Sequence, residues 1–252
     1  MTIETFNLLM YGWIALAIIL FPIQLKIIAP YGRHSNESWG KRIDNRLGWV
    51  LQEIVSPLVL AWFFLSGDNE KTTALWLFFA LWTIHYFNRS LIFPFRTKTK
   101  GKLIPLMIVF SAIFFNIVNG WTNGYYLGTL CEPYTDAWLT DPRFIIGIII
   151  FFIGAGINIH SDHILLNLRK HGDTGYYIPK GGFFKYISCP NHFGEIVEWS
   201  GFAIMCWNLP ALGFAVWTAA NLIPRAIAHH KWYKEKFEDY PNERKAVLPF
   251  LV

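Results

Sequence analysis

Five apolar runs, each long enough to cross a bilayer as a helix, constrain the fold of this chain more than any other feature. They cover residues 8–28, 47–65, 74–95, 103–120 and 144–166. The hydrocarbon core of a bilayer is about 30 Å thick, so roughly 20 apolar residues span it as a helix. The composition agrees, because only 15% of the residues are charged, whereas soluble domains have about 25%. The runs predict five transmembrane helices.

A sixth apolar stretch, residues 196–227, contains Pro210 and Gly213 near its middle. Proline and glycine interrupt helices, so this stretch predicts two short helices joined by a tight turn at residues 207–210. The prediction is then an all-α, polytopic membrane protein with seven transmembrane helices. The first run lacks a preceding basic segment and a small-residue cleavage site, so it is interpreted as a retained span rather than a signal peptide.

The distribution of positive charge orients the predicted spans. If the loop at residues 26–46 is cytoplasmic and the sides alternate, all of the 22 Lys and Arg residues except Lys71 and Arg143 fall on the cytoplasmic side. Cytoplasmic loops carry such an excess, which predicts an external N-terminus and a cytoplasmic C-terminus. Loop orientation also accounts for the net charge of +5, so no nucleic-acid partner is expected. Because no repeat or long linker is found, residues 1–252 are predicted to form a single domain.

Polar residues occur inside two of the predicted spans. Gln52 and Glu53 lie about two turns into the second span, and Tyr86 lies at a similar depth in the third. A charged side chain at the centre of a bilayer costs on the order of 2.5 to 3.5 kcal/mol, so each such residue is a candidate functional residue. Two other interpretations stay open: Glu53 paired with Arg89 or simply protonated, and Tyr86 as a structural residue.

Three further sets of polar residues follow the helical repeat near the predicted cytoplasmic ends of the last three helices. Residues spaced by four or seven share a helix face, and lining a cavity is what makes polar groups tolerable in a membrane. The sets combine cations with carboxylates, which suits a ligand with phosphates and ribose hydroxyls. They are Asn158, Asp162 and Arg169; Asn191, Glu195 and Trp199; and Arg225, His229 and Tyr233.

A metal site and a Rossmann fold are not expected. The histidines are thinly clustered, as His160-x-x-His163 beside Asp162 and as His229-His230, and no Gly-x-Gly-x-x-Gly motif follows a strand. Gly154-Ala155-Gly156 is interpreted as a close helix contact. The three cysteines are far apart in sequence and predict free thiols rather than a disulfide framework.

Several of these motifs together resemble the steroid 5α-reductase family. The resemblance runs in order from about Tyr31 to the C-terminus. It is carried by Leu51-Gln52-Glu53, His85-Tyr86-Phe87-x-Arg89, Asn158 to Arg169 with His160-Ser161-Asp162, Cys189-Pro190-Asn191-His192-Phe193-Gly194-Glu195, Arg225-Ala226-x-x-His229-His230-x-x-Tyr233 and Phe237-Glu238-Asp239-Tyr240-Pro241.

The resemblance implies a seven-helix membrane reductase that uses NADPH to reduce the 4,5 double bond of a 3-oxo-Δ4 steroid. It implies that Glu53 and Tyr86 hydrogen-bond the 3-keto oxygen, with Gln52 beside them. The cofactor-binding residues it implies are Asn158, Asp162, Arg169, Asn191, Glu195, His229 and Tyr233, with Tyr31 and Arg225 nearby. The segment at residues 95–100 departs from the Asn and Arg that family members often carry there, so Lys98 or Lys100 would supply the charge for a phosphate.

Hydride attack at the β-carbon of an enone drives charge onto the carbonyl oxygen, so the site needs donors where the enolate forms. A tyrosine hydroxyl and a protonated carboxyl are such donors, and burial of Glu53 in a span favours its neutral form.

Three alternatives remain: a related membrane enone or enoyl reductase acting on polyprenal or enoyl-thioester substrates, an isoprenylcysteine-type methyltransferase that binds S-adenosylmethionine, and a sterol-binding or transport protein. The expected partners are a lipophilic enone and membrane lipids, for a monomer in a bacterial inner membrane or the endoplasmic reticulum.

Overall fold

The computed structural model of the protein describes residues 1–35, 38–99, 101–169, 173 and 175–251. Within these residues α-helices dominate, with one two-stranded sheet. The α-helices are α1 (Ile3–Lys26), α2 (Asn45–Ser66), α3 (Thr73–Phe87), α4 (Phe93–Arg96), α5 (Leu106–Tyr125), α6 (Pro142–Asn167), α7 (Pro190–Cys206) and α8 (Leu209–Lys236). Two π-helical turns, Asn88–Ile92 and Tyr126–Leu130, follow α3 and α5.

The helices other than the four-residue α4 lie where the apolar runs predicted seven helices. Five of them are long and apolar enough to cross a membrane, while α3 and α7, with 15 and 17 residues, are shorter. The prediction of a mostly helical protein with membrane-spanning helices is confirmed at this level. The spans are Ile3–Lys26, Asn45–Ser66, Leu106–Leu130, Pro142–Asn167 and Leu209–Lys236.

A short sheet occupies a place where only helix was predicted. The run at residues 103–120 was expected to be helical throughout, but Leu103–Pro105 forms strand β2, which pairs antiparallel with strand β1 at Arg42–Asp44. Pro105 is the N-cap of α5, and a residue before proline is biased toward extended backbone. The helix therefore begins after the proline rather than at Leu103.

The predicted break near Pro210 is confirmed. Trp207, the residue that follows α7, has a left-handed conformation with a φ of 48°, and this conformation ends the helix. Asn208 then caps α8, because its Oδ1 accepts a hydrogen bond from the backbone N–H of Ala211 at 2.9 Å. The two helices are longer than predicted, however, with 17 and 28 residues.

The chain divides into two compact units, residues 1–28 with 142–252 (unit 1) and residues 29–141 (unit 2). The single-domain interpretation stays a prediction. In unit 2, α2 and α5 pack side by side and run in the same direction. A Cβ on Gly120 would lie 2.7 Å from the carbonyl oxygen of Ser56, and one on Gly124 would lie 2.7 Å from that of Leu60. The matching order of these contacts defines a parallel pair.

In unit 1, α6 and α7 pack as an antiparallel pair through glycine. A Cβ on Gly154 would meet the backbone of Glu198, and one on Gly201 would meet the backbone of Phe151. The interpretation of Gly154 as a close helix contact is therefore confirmed, but that of Gly156 is wrong, because a Cβ there would meet nothing within 4 Å.

Helices α1 and α8 complete unit 1. The indole N–H of Trp217 donates to the carbonyl oxygen of Trp13 at 3.0 Å, and Gly213 lies against Met10. The order of these contacts makes α1 and α8 parallel. Trp199 packs on Phe214 with ring centroids 4.3 Å apart, and α7 and α8 are antiparallel across the turn at Trp207.

Candidate active site

Gln52 and Glu53 lie in the first half of α2, within unit 2. Gln52 is buried, with 5% of its surface exposed, and Glu53 is half-buried. The Nε2 of Gln52 donates to Oε1 of Glu53 at 3.1 Å. Among the described residues, the Gln52 Oε1 has no hydrogen-bond partner. A buried amide oxygen without a partner is costly, so this pair is suited to a ligand that supplies polar atoms.

Tyr86 lies near the end of α3 and is buried, with 4% of its surface exposed. Its ring stacks on Trp82 at 5.5 Å and meets His85 edge-on at 5.3 Å. A π-helical turn follows, and Ser90 Oγ donates to the carbonyl oxygen of Tyr86 at 2.6 Å. Pro94, which lacks an N–H and is the second residue of α4, removes a helical hydrogen bond in this region. The widened turn and the aromatic contacts fix the position of Tyr86.

Asn116 of α5 connects these two parts of unit 2. Its Nδ2 donates to the backbone carbonyl of Gln52 at 2.7 Å, and its Oδ1 accepts from the Tyr86 hydroxyl at 3.4 Å. The sequence analysis missed this residue because its run was treated as uniformly apolar. The available signal was the amide spacing of Asn116, Asn119 and Asn123, all buried in α5.

Tyr31 and Arg89, two further residues that the sequence singled out in unit 2, both contact Trp49. Tyr31 is half-buried, precedes a short 3-10 helix, and has its ring centroid 6.5 Å from that of Trp49. Arg89 places its guanidinium over Trp49 and Phe93. Lys100, expected near a phosphate, lies outside the described residues.

In unit 1, the C-terminal half of α6 meets the start of α7. Asn158 and Asp162 are buried on α6, and Nδ2 of Asn158 donates to the carbonyl oxygen of Asn191 at 2.9 Å. Gly194 allows this approach, because a Cβ there would lie 2.5 Å from the backbone N of Asn158. The structure therefore brings the predicted sets on α6 and α7 together, with Glu195 half-buried one turn beyond Asn191.

The predicted set on α8 lies at the same end of unit 1. Arg225 and Tyr233 are buried, with 7% and 3% of their surfaces exposed, and His229 is half-buried. The ring of His229 lies 5.6 Å from that of His192 on α7. Seven of the predicted polar residues, contributed by three helices, thus gather at one end of this unit.

Arg169 does not lie on the helix that was predicted to carry it. Helix α6 ends at Asn167, so the spacing from Asn158 and Asp162 does not place Arg169 on their face. Its Nε donates to the carbonyl oxygen of Gly175 at 2.8 Å, and its guanidinium lies 5.0 Å from the ring centroid of Tyr176.

A hydrogen-bonded cluster that the sequence analysis did not identify secures the C-terminal segment. Ser188 Oγ lies 2.6 Å from both His230 Nδ1 and the Tyr240 hydroxyl, and its N–H donates to the carbonyl oxygen of Lys245 at 2.8 Å. Burial raises the pKa of Tyr240, an effect that the Ser188 hydrogen bond partly offsets. Tyr240 also stacks on Tyr233 at 5.2 Å, so this cluster holds a predicted cofactor residue in place.

The candidate metal ligands of α6 point in different directions. His160 and His163 are exposed, whereas Asp162 is buried. Across the described part of the chain, no group of three or more His, Cys, Asp or Glu residues could hold a metal ion. The cysteines Cys131, Cys189 and Cys206 are buried free thiols.

The long apolar helices of this chain, with amides, carboxylates and an arginine buried among them, are typical of polytopic α-helical membrane proteins. The family model described as 3-oxo-5-alpha-steroid 4-dehydrogenase matches residues 102–252. The 3-oxo-5-alpha-steroid 4-dehydrogenase 1 of Bos taurus is 43% identical over 243 residues, covering 94% of this chain and 93% of the relative. A steroid 5-alpha-reductase of Gossypium hirsutum is 40% identical over 252 residues, covering 96% of each. The chain belongs to this family of oxidoreductases.

Proposed function

We propose that the protein reduces the 4,5 double bond of a 3-oxo-Δ4 steroid, with NADPH as the hydride donor. The observation that carries the proposal is the hydrogen-bonded group of Gln52, Glu53, Tyr86 and Asn116 in unit 2. Relatives covering nearly the whole chain are named for a 3-oxo-5-alpha-steroid. An enone carbonyl is the substrate group that these side chains can address.

In this proposal the Tyr86 hydroxyl and a protonated Glu53 donate hydrogen bonds to the 3-keto oxygen. Hydride arrival at C5 places negative charge on that oxygen, and donors in a low-dielectric site stabilise the resulting enolate. Gln52 holds Glu53 Oε1 through its amide N–H, which orients the carboxyl. Protonation at C4 then completes the reduction, and its donor is left unassigned.

The donor set of unit 1 fits a phosphorylated dinucleotide. Arg225 and Arg169 supply positive charge for phosphates, and Asp162 and Glu195 accept hydrogen bonds from ribose hydroxyls. When bound, NADPH supplies the hydride, while these side chains provide position and electrostatics. The other residues of unit 1 proposed to hold it are Asn158, Asn191, His229 and Tyr233. Tyr31 and Lys100 stay predictions from the resemblance.

The relative directions of the helices support seven alternating spans. The seven proposed spans, in chain order, are α1, α2, α3 with its extension, α5, α6, α7 and α8. In unit 2, α2 and α5 are parallel. In unit 1, α1 and α8 are parallel, and α7 is antiparallel to both α6 and α8. Strict alternation of seven helices requires each of these relations. The third span is then α3 continued through the π-helical turn and α4, residues 73–96. The orientation we propose, with an external N-terminus and a cytoplasmic C-terminus, is supported by the positive-charge bias of the loops.

The decisive experiment measures NADPH oxidation by the purified monomeric protein with progesterone, testosterone and a linear enone side by side. We expect turnover with the steroids and a product two mass units heavier whose 4,5 bond is saturated. Turnover with only the linear enone would reject the steroid assignment in favour of a related enone reductase. Failure with all three substrates, in protein that binds NADPH, would reject the proposed reaction.

The same preparation tests S-adenosylmethionine binding, which the methyltransferase alternative requires. The proposal places the protein in a bacterial inner membrane or the endoplasmic reticulum membrane.

A further inference from the structure

We infer that Asn116 is a positioning residue for the carbonyl-binding group, acting through Tyr86; the inference rests on the proposed function. Its side chain bridges two other helices of unit 2. One atom contacts the backbone of Gln52 on α2 and the other contacts the hydroxyl of Tyr86 on α3. No other described amide on α5 makes such a bridge among the contacts of this unit.

The hydrogen-bonding chemistry fixes the direction of each contact. A backbone carbonyl only accepts hydrogen bonds, so the Asn116 atom that faces Gln52 must be the NH₂ group. The side-chain oxygen of Asn116, Oδ1, therefore faces Tyr86, and the tyrosine hydroxyl must donate to it. Asn116 thus directs the hydroxyl hydrogen of Tyr86, the atom that the proposed reaction uses.

The two contacts differ in length in a way that suits this role. The bond from Nδ2 to Gln52 is 2.7 Å, which is short for an N–H···O bond, whereas the Tyr86 contact is 3.4 Å, well beyond the usual 2.7 to 2.8 Å for O–H···O. The short bond anchors the amide. The long one holds the tyrosine rotamer while leaving its proton weakly held, so a substrate oxygen at optimal distance competes for it.

A matched control lies on the same helix face two turns away. Asn123 has the same size and is equally buried, with 2% of its surface exposed against 4% for Asn116. Among the described residues, its Nδ2 donates only within α5, to the backbone and side-chain oxygens of Asn119. Loss of a buried amide is therefore common to Asn116→Leu and Asn123→Leu, whereas loss of the bridge is specific to Asn116→Leu.

The test compares kcat and KM for the wild type, Asn116→Leu, Asn123→Leu, Tyr86→Phe and the double variant Asn116→Leu with Tyr86→Phe. One neutral hydrogen bond corresponds to about three- to tenfold in rate. We expect Asn116→Leu to lower kcat by that factor without changing the KM for NADPH. In the Tyr86→Phe background, the same substitution is expected to have no further effect, because the hydroxyl it orients is gone.

Two results would overturn the inference: effects of Asn116→Leu and Tyr86→Phe that multiply as independent factors, or an equal loss of kcat in Asn123→Leu. Either can occur while the wild type reduces steroids, so neither touches the proposed function. Conversely, a wild type without turnover on any enone refutes the proposed function. A fully active Tyr86→Phe variant refutes the role of Tyr86, and the double variant is then not needed. If Asn116→Leu yields too little folded protein, Asn116→Ala removes the same two bonds without added volume and is judged by the same outcomes.

Discussion

The helix pairs α2–α5 and α6–α7 both pack closely through glycine, but they distribute it differently. In the parallel pair of unit 2, the glycines that lie against the backbone of the other helix are Gly120 and Gly124 on α5 and Gly128 in the π-helical turn that follows it. Gly48 on α2 lies only against side chains, those of Ile104, Val109 and Ile43. In the antiparallel pair of unit 1, each helix contributes two glycines seven residues apart, Gly147 and Gly154 on α6 and Gly194 and Gly201 on α7. Small residues let helix backbones approach in a membrane, where apolar burial alone drives little association.

The polar groups of the two pairs differ as well. Unit 2 buries mostly neutral amides between its helices, and several of these donate to backbone carbonyls of the same helix or of the paired helix. Unit 1 gathers an arginine, carboxylates and an imidazole at one end of its helices. Neutral donors suit a carbonyl group, and mixed charges suit a phosphorylated ligand. Under the proposed function, we therefore expect unit 2 to carry the chemical step and unit 1 to set the affinity for the cofactor.

The strongest test of this division removes the Tyr86 hydroxyl. Loss of one donor to a developing oxyanion costs about 10²-fold or more in kcat, so Tyr86→Phe is expected to lower kcat by about that factor and leave the KM for NADPH unchanged. Steady-state kinetics at varied NADPH measure both. Tyr125→Phe, a half-buried tyrosine at the end of α5, is the control and should retain wild-type kcat. An active Tyr86→Phe enzyme would remove Tyr86 from the mechanism.

Glu53→Gln asks whether acidity matters in the same group. The amide can still donate a hydrogen bond but cannot transfer a proton, so a lower kcat at unchanged substrate KM is expected. A variant that retains most turnover would show that hydrogen bonding alone is sufficient. The measurement is the same as for Tyr86→Phe.

The glycine contact of unit 1 is tested by stability rather than by activity. A methyl group at Gly154 would meet the backbone of Glu198, and such overpacking costs about 1 to 3 kcal/mol. Gly154→Ala should therefore lower the thermal unfolding midpoint in detergent. Gly156→Ala is the matched control two residues away, where space is open, and it is expected to raise stability by up to about 1 kcal/mol through helix propensity. Equal behaviour of the two variants would contradict the packing described for α6 and α7.

Cofactor affinity should respond to Arg225. Replacing this buried arginine by leucine is expected to raise the KM for NADPH by about tenfold, because one charge-assisted hydrogen bond to a phosphate is lost. The kcat at saturating NADPH should change less, opposite to the pattern of Tyr86→Phe. Lys231, an exposed cation on α8 that lies 3.8 Å from Glu235, is the control: Lys231→Ala should leave the KM unchanged. A kcat defect with normal KM in Arg225→Leu would place this arginine with the chemical step instead.

The smallest effect concerns the far end of the α2–α5 pair. Cys131 follows the π-helical turn that contains Gly128. Burial raises the pKa of its thiol to about 11, although a hydrogen bond from Asn69 opposes the shift. Because the thiolate is the reactive form, alkylation should be slow at neutral pH and accelerate about tenfold per pH unit until about pH 11. A variant with Cys189→Ala and Cys206→Ala isolates this thiol. Asn69→Ala should shift the profile to still higher pH; a profile centred near that of a free cysteine would show that this end is open.

The sequence predicted helix positions well because their signal is local. Apolar runs, the proline near residue 210 and the amide and carboxylate positions can be identified without any partner helix. Predictions failed where a neighbour along the chain or across the fold decided the outcome. Leu103 entered a strand because Pro105 delayed the helix and Arg42–Asp44 was available to pair, and Arg169 fell beyond the end of α6.

Taken by itself, the sequence determined which segments are helical, which residues are candidates for the chemistry and which family they resemble, since each depends on short-range spacing and residue type. Only the tertiary structure decided that α2 and α5 are parallel, that Gly154 is in contact while Gly156 is not, and that Asn116 joins Gln52 to Tyr86. The physical reason is that register and direction between helices depend on contacts between residues 30 or more positions apart in the chain, which no local pattern encodes.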